Sequence, residues 1–179
     1  MPLLTDDTIR LRALEAEDLD TLYAWENDTR LWEHTSGAAP FSRKQLWEYI
    51  NTYDGNIFTA RQLRMMIVRC EDNVPVGMID LYEFDPVNRH AFIGIMVAAD
   101  YARCGYARRA LRLLEEYCRQ TLGMHQLATE VACGNEPSEK LFLGSGFKIC
   151  GRLRSWLRRG RVYSDIYLMQ KMLQSSSSI

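Results

Sequence analysis

The polar and apolar positions follow two different periods along the chain. Residues 8–14 (TIRLRAL) alternate, which predicts a strand, whereas residues 15–28 place Leu19, Leu22 and Trp25 at helical spacing. A second helix is expected over 42–53, with Ser42 as its N-cap. The period then returns to two. Residues 63–70 (LRMMIVRC), 74–84 (VPVGMIDLYEF) and 91–97 (AFIGIMV) read as three strands, and EDN (71–73) and DPVNR (85–89) supply the turns of an antiparallel meander. A long helix is expected over 105–122, its apolar stripe made of Ala107, Leu111, Leu114, Cys118 and Leu122, with Arg108, Arg112, Glu115 and Arg119 off that stripe. Residues 126–133 read as a strand and 135–146 as a short helix and turn. Residues 147–157 and 162–172 form a closing hairpin around Arg159-Gly160. With no repeat and no linker in view, one domain over 1–174 is expected, followed by a disordered tail at 175–179.

Composition narrows the class. The chain has 179 residues, 47% hydrophobic and 25% charged, which is enough to bury a core. A formal net charge of −1 gives no general polyanion-binding surface, so nucleic acid is not the expected partner. The basic stretch at 152–161 reads as a solvated edge, with an acidic protein partner as the alternative. No apolar run has the length of a membrane span, and Asp6 and Asp7 follow the first few apolar residues too soon for a signal peptide. Cys70, Cys104, Cys118, Cys133 and Cys150 are odd in number and form no C-x-x-C pair, and His34, His90 and His125 stand alone. Neither a disulfide framework nor a metal site is expected, and a reducing cytoplasm is the natural setting.

The junction at 102–107 (ARCGYA) carries candidate chemistry. It joins a strand to a helix, where successive backbone N–H groups lack intrahelical partners and the helix dipole adds partial positive charge. That arrangement suits a phosphate or pyrophosphate. Gly105 has no Cβ to block close approach, and Arg103 and Arg108 add charge to the rim. A plain strand-to-helix turn is the alternative for this stretch taken alone.

Four stretches in order widen the picture: VGMIDLYEFDPVNRHAFIGIMV, ARCGYA, NEPSEKLFLGSGF and GFKICGRLRSWLRRGRVYSDIYLM. Together, over roughly 8–172, they resemble the GNAT superfamily of acetyl-CoA-dependent N-acetyltransferases. The likeness is greatest to the branch that holds ribosomal-protein N-terminal and spermidine acetyltransferases. The resemblance implies an α/β (α+β) domain whose mixed, mostly antiparallel sheet is flanked by helices and splayed at the cofactor cleft. It implies acetyl-CoA as co-substrate with no metal, and an amine acceptor. Homo-oligomerisation is a further possibility under the same resemblance. Ile95, Met96 and Val97 would pair with the pantetheine arm, and the amides of Arg103, Cys104, Gly105, Tyr106, Ala107 and Arg108 would hold the pyrophosphate. Asn135 would bond the pantetheine, cap a helix, or do both.

This chain also departs from the family pattern. Ala102 replaces the usual Gln or Arg, Phe142 stands where many relatives carry a Tyr that protonates the thiolate, and Phe92 stands where a Glu base is frequent. Ser138, three residues after Asn135, matches a Ser that hydrogen-bonds the coenzyme sulfur in the ribosomal-protein acetyltransferases, so the resemblance implies that role, with a first-turn helical role as its alternative. Acetyl transfer needs the amine deprotonated. The candidate bases are Glu33, Asp80, Glu83 and Glu130, with Asp80 and Glu130 favoured. Trp25, Glu26, Trp32 and Glu33 are the candidate acceptor contacts through carboxylate and aromatic groups. An α-amine needs less help from a base than a lysine-like amine, its pKa being about 7.7–8.0 against about 10.4. The missing Tyr and Glu therefore favour a peptide N-terminus as acceptor, with a polyamine or small-molecule amine, or a non-catalytic acetyl-CoA-binding module, as alternatives.

Overall fold

The computed structural model describes residues 3–32 and 39–173. Its spine is a seven-stranded sheet. Strands β1 (Ile9–Ala13), β2 (Leu63–Arg69), β3 (Pro75–Asp85) and β4 (His90–Val97) form an antiparallel run. Strand β5 (Gln126–Ala132) joins β4 in parallel, and the hairpin of β6 (Lys148–Arg159) and β7 (Val162–Met172) completes the order β1-β2-β3-β4-β5-β7-β6. The expected meander and hairpin are both present, and β6 runs two residues further than its pattern suggested.

The helices, which include the single-turn α2 (Thr29–Trp32) and α4 (Ile57–Ala60), cover both faces. Helix α5 (Tyr106–Gln120) lies on one face, where Leu11, Ile67, Ile79, Leu81, Ile93, Leu111, Leu114, Leu127 and Met169 form a single buried cluster. Helices α1 (Leu19–Glu26) and α3 (Arg43–Thr52) contribute Leu22 and Leu46 to a second cluster, which holds Leu14, Met66, Val68 and Met78. Alternate residues of β2 serve opposite clusters. That explains its nearly unbroken apolar run, the pattern of a strand covered on both faces.

Two local expectations change. The helix expected over 15–28 is divided into a 3-10 turn at Ala16–Asp18 followed by α1. The Asp18 carboxylate is 2% exposed; it accepts two 2.7 Å bonds from Arg12 and one from the Glu15 amide, which ties the turn to β1. The buried stripe of α5 is wider than expected: Tyr106, Ala110 and Leu113 join Leu111, Leu114 and Cys118, while Ala107 and Leu122 are only partly covered. A helix laid on a broad sheet contacts it over more than one row of residues. Glu115, expected off that stripe, is nonetheless largely buried and paired with Lys171 at 2.6 Å. The tail expected at 175–179 lies outside the described residues.

Candidate active site

The sheet opens in its middle. Strands β4 and β5 share three register pairs, His90–Gln126, Ala91–Leu127 and Phe92–Ala128, and then diverge. The Thr129 hydroxyl donates to the Ile93 carbonyl at 3.0 Å and is the last bridge between the two strands. Beyond it, the β5-facing edge of Gly94, Ile95, Met96 and Val97 has no strand partner, although the other edge stays paired with β3 as far as Gly77–Val97. Gly77 makes that pairing possible, since a Cβ there would stand 2.2 Å from the Met96 carbonyl oxygen. The divergence leaves a slot with exposed backbone on one wall, as an extended ligand requires.

One end of the slot is the start of α5. Arg103 (φ 64°) and Gly105 (φ 82°) are both left-handed and turn the chain out of a 3-10 turn at Ala99–Tyr101. No side chain caps the helix, and the first bond into it runs from the Arg109 amide to the Gly105 carbonyl. Among the described residues, the amides from Arg103 to Arg108 therefore have no acceptor within the protein. A Cβ built on Gly105 meets nothing within 4 Å, so the space beside this glycine is open. Arg103 and Cys104 are exposed and Ala107 is partly so. The Tyr106 ring is buried against Tyr101. Arg108 bends towards Gly144, where an added Cβ would stand 2.8 Å from its guanidinium.

Helix α6 (Glu136–Gly144) begins on the far wall. Asn135 caps it, its Oδ1 accepting from the Ser138 amide at 3.3 Å, so the capping role holds and the Nδ2 donor remains available. The Ser138 side chain is half-buried at this first turn. Phe142 is 3% exposed and meets Phe147 edge-on, a packing role with no proton to give.

On the α1/α3 face of the slot, the acidic residues divide into two kinds. Asp80 is held at both oxygens by Arg64, at 2.8 Å from Nε and 3.0 Å from the terminal nitrogen, and Glu26 pairs with the same guanidinium at 3.1 Å. Burial opposes the Arg64 charge, but Asp80 outweighs it and the guanidinium is held firmly protonated. Tyr49 lies under that guanidinium with its hydroxyl buried and without a partner among the described residues, while the Tyr53 hydroxyl accepts from the Arg64 amide. This arrangement corrects the expectation of Asp80 as base, because each of its oxygens already accepts from the Arg64 guanidinium, whose positive charge offsets its own. Glu26 likewise serves as an anchor between α1 and β2. Trp25 packs against the second core cluster rather than standing free for an acceptor. Trp32 ends the short helix α2 (Thr29–Trp32), and Glu33 lies outside the described residues.

Glu130 differs from Asp80. It follows the last paired residue of its face, Ala128, by two positions, and no cation pairs with it among the described residues. Partial burial raises its pKa above the ordinary value, and the charge of Glu83 raises it further. Glu83 reaches this neighbourhood through a bulge: the register jumps from Tyr82–Phe92 to Asp85–His90, and Glu83 takes a left-handed φ of 50°. Tyr82 stacks on Phe92 with ring centroids 5.6 Å apart, and its phenol is kept protonated by burial first and by Glu130 next. Sequence patterning missed Arg64, Tyr49, Tyr82 and Gly94. The available signals were an arginine leading an apolar strand and a glycine within one.

An open slot beside an uncapped helix start defines a protein that binds an extended anionic cofactor, and the comparisons give the class. Residues 8–148 match the family model "Acetyltransferase (GNAT) domain", and the chain belongs to this family. It is an acetyl-CoA-dependent N-acetyltransferase. Among curated relatives, the spermidine N(1)-acetyltransferase of Escherichia coli K12 is 27% identical over 82% of this chain and 76% of its own. The ribosomal-protein-serine acetyltransferase of the same organism is 21% identical over 94% of this chain and 95% of its own. The crystal structure of spermidine N-acetyltransferase from Vibrio cholerae with CoA and spermine has the same fold, with a TM-score of 0.84 at 23% identity, covering 94% of this chain and 97% of that one. Among the described residues, no helix is long and apolar enough to cross a membrane, and no group of His, Cys, Asp or Glu could hold a metal ion.

Proposed function

We propose that this enzyme acetylates a primary amine of an aliphatic polycation, with Glu130 as the general base. The observation that carries this reading is the pair Glu83 and Glu130, which act on one another beside the divergence of β4 and β5 and which no cation compensates among the described residues. A polyamine presents several cations along a flexible chain, and unpaired carboxylates suit it better than they suit a peptide N-terminus with one. The curated relatives named for spermidine point the same way. The peptide acceptor first favoured by the missing Tyr and Glu loses its basis once Glu130 is available as a base.

The chemistry follows from the geometry. The amides of Arg103 to Arg108 hold the pyrophosphate, and the free edge of Ile95, Met96 and Val97 together with Asn135 Nδ2 pairs with the pantetheine. Glu130 accepts a proton from the acceptor ammonium, and the freed nitrogen attacks the thioester carbon. The Val97 amide hydrogen-bonds the developing oxyanion. The carbon–sulfur bond then breaks, and the thiolate leaves with a hydrogen bond from the Ser138 hydroxyl, the proton from the new amide nitrogen completing free coenzyme A. Self-association is part of the same reading, since a dodecameric structure is described for the Vibrio cholerae spermidine enzyme.

Competition tests the reading. Spermidine and a peptide with a free N-terminus, at equal concentration, are offered with acetyl-CoA and the products are separated by mass. Acetylspermidine is the expected main product. Predominant peptide acetylation would reject the polyamine, and absence of coenzyme A release with any amine would reject catalysis.

A further inference from the structure

Gly94 occupies a position where the fold itself does not call for glycine. At Gly77 an added Cβ would collide with backbone, which accounts for that residue fully. At Gly94 the backbone is ordinary strand, and an added Cβ would meet nothing nearer than 3.7 Å, an ordinary contact. A glycine inside a strand costs stability and contributes no packing, and where no neighbouring backbone demands it, a closely approaching ligand is the remaining reason.

The surroundings say what kind of ligand. The missing side chain would stand 3.7 Å from Tyr82 Cε1 and 4.0 Å from Asp80 Oδ2. Phe92 pairs with Ala128, so continued register would have set Gly94 opposite Glu130; the divergence of the strands puts an open space between them instead. That space has the Tyr82 ring edge and phenol on one side and the Glu130 carboxylate across it, while the Asp80 carboxylate beneath is already held by Arg64. The Tyr82 ring is braced by its stack on Phe92, and its hydroxyl has no partner among the described residues. Oxygen acceptors around a small void, here the Tyr82 hydroxyl and the Glu130 carboxylate, are what an alkylammonium needs.

We propose that the void over Gly94 seats the ammonium head of the acceptor, making Gly94 a specificity-determining residue and Tyr82 a direct substrate contact. The proposal rests on the reading of Glu130 as the base on this face. The seat admits a primary ammonium on an unbranched chain, held between the Tyr82 oxygen and Glu130, with its nitrogen facing the slot.

Gly94→Ala tests this cleanly, because the added methyl fits without collision. The expected result is a thermal midpoint no lower than the parent's, unchanged acetyl-CoA affinity by calorimetry, and an amine KM raised at least about tenfold, the usual penalty of one misplaced methyl in a substrate pocket. Tyr82→Phe keeps the ring and removes the oxygen, and should raise KM in the same direction. The amine used is whichever member of a panel the parent turns over, so an acceptor other than spermidine rejects the polyamine reading without touching this one. If the parent acetylates none, the backbone amide of Gly94 is followed by NMR as propylammonium is added to the acetyl-CoA complex. A shift supports the seat. An unchanged KM in Gly94→Ala, or an unmoved Gly94 amide in that titration, overturns it.

Discussion

The starts of α3 and α5 are built in opposite ways. At α3 the Ser42 side chain accepts from the Gln45 amide at 3.2 Å and Gln45 Oε1 accepts from the Ser42 amide at 2.8 Å, so the helix supplies its own cap. At α5 a left-handed glycine takes the cap position, and among the described residues no side chain reaches back and six successive amides have no acceptor. The same contrast separates two carboxylates. Asp80 is closed by Arg64 on both oxygens, whereas Glu130 has no cation among the described residues and a raised pKa. Where polar groups are satisfied internally, the fold is being held together. Where they are left open beside a slot, they are available to a ligand.

This contrast can be broken most severely at α5. Gly105→Glu would aim a carboxylate at the amides it now leaves free. Losing even two charge-assisted bonds at about 1.5–3 kcal/mol each should take acetyl-CoA binding below calorimetric detection. Folding should survive, because the added side chain meets nothing and the left-handed backbone costs about 1–2 kcal/mol. The carboxylates come next. Glu130→Gln should lower kcat by about 10²–10⁴-fold, the range for a lost general base, with acetyl-CoA affinity retained. In the parent, kcat/KM should rise with pH as Glu130 loses its proton, along a limb above the ordinary carboxylate range because burial and Glu83 both raise its pKa; in Glu130→Gln that limb should vanish. Asp80→Asn should do the reverse. It leaves the Arg64 guanidinium short of its main partner and should cost about 3 kcal/mol in chemical denaturation. The smallest change is Ser42→Ala, which should remove about 1 kcal/mol of stability and leave acetyl-CoA affinity unaltered.

Much of this arrangement is legible along the chain because it depends on neighbours. The strand-to-helix junction at Gly105, the Asn135–Ser138 spacing and the Ser42 cap all involve residues within a few positions of one another, and all three sit as their local patterns imply. The pairing that removes Asp80 from the list of bases joins residues 16 positions apart, and the Glu26 contact spans 38. A bulge after Tyr82 shifts strand parity, so Phe84 enters the core and Glu83 stands near Glu130. No period reports an irregularity of that kind. Gly94 is visible in the string but acquires meaning only when its neighbours across three strands are known.

The contrast between the two helix starts is tested most directly by backbone amide NMR as acetyl-CoA is added. The amides of Arg103 to Arg108 should move strongly while those of Arg43 to Gln45, at the self-capped start of α3, stay in place. Saturable binding with the amides of 103–108 unmoved would contradict the assignment of α5 as the pyrophosphate seat.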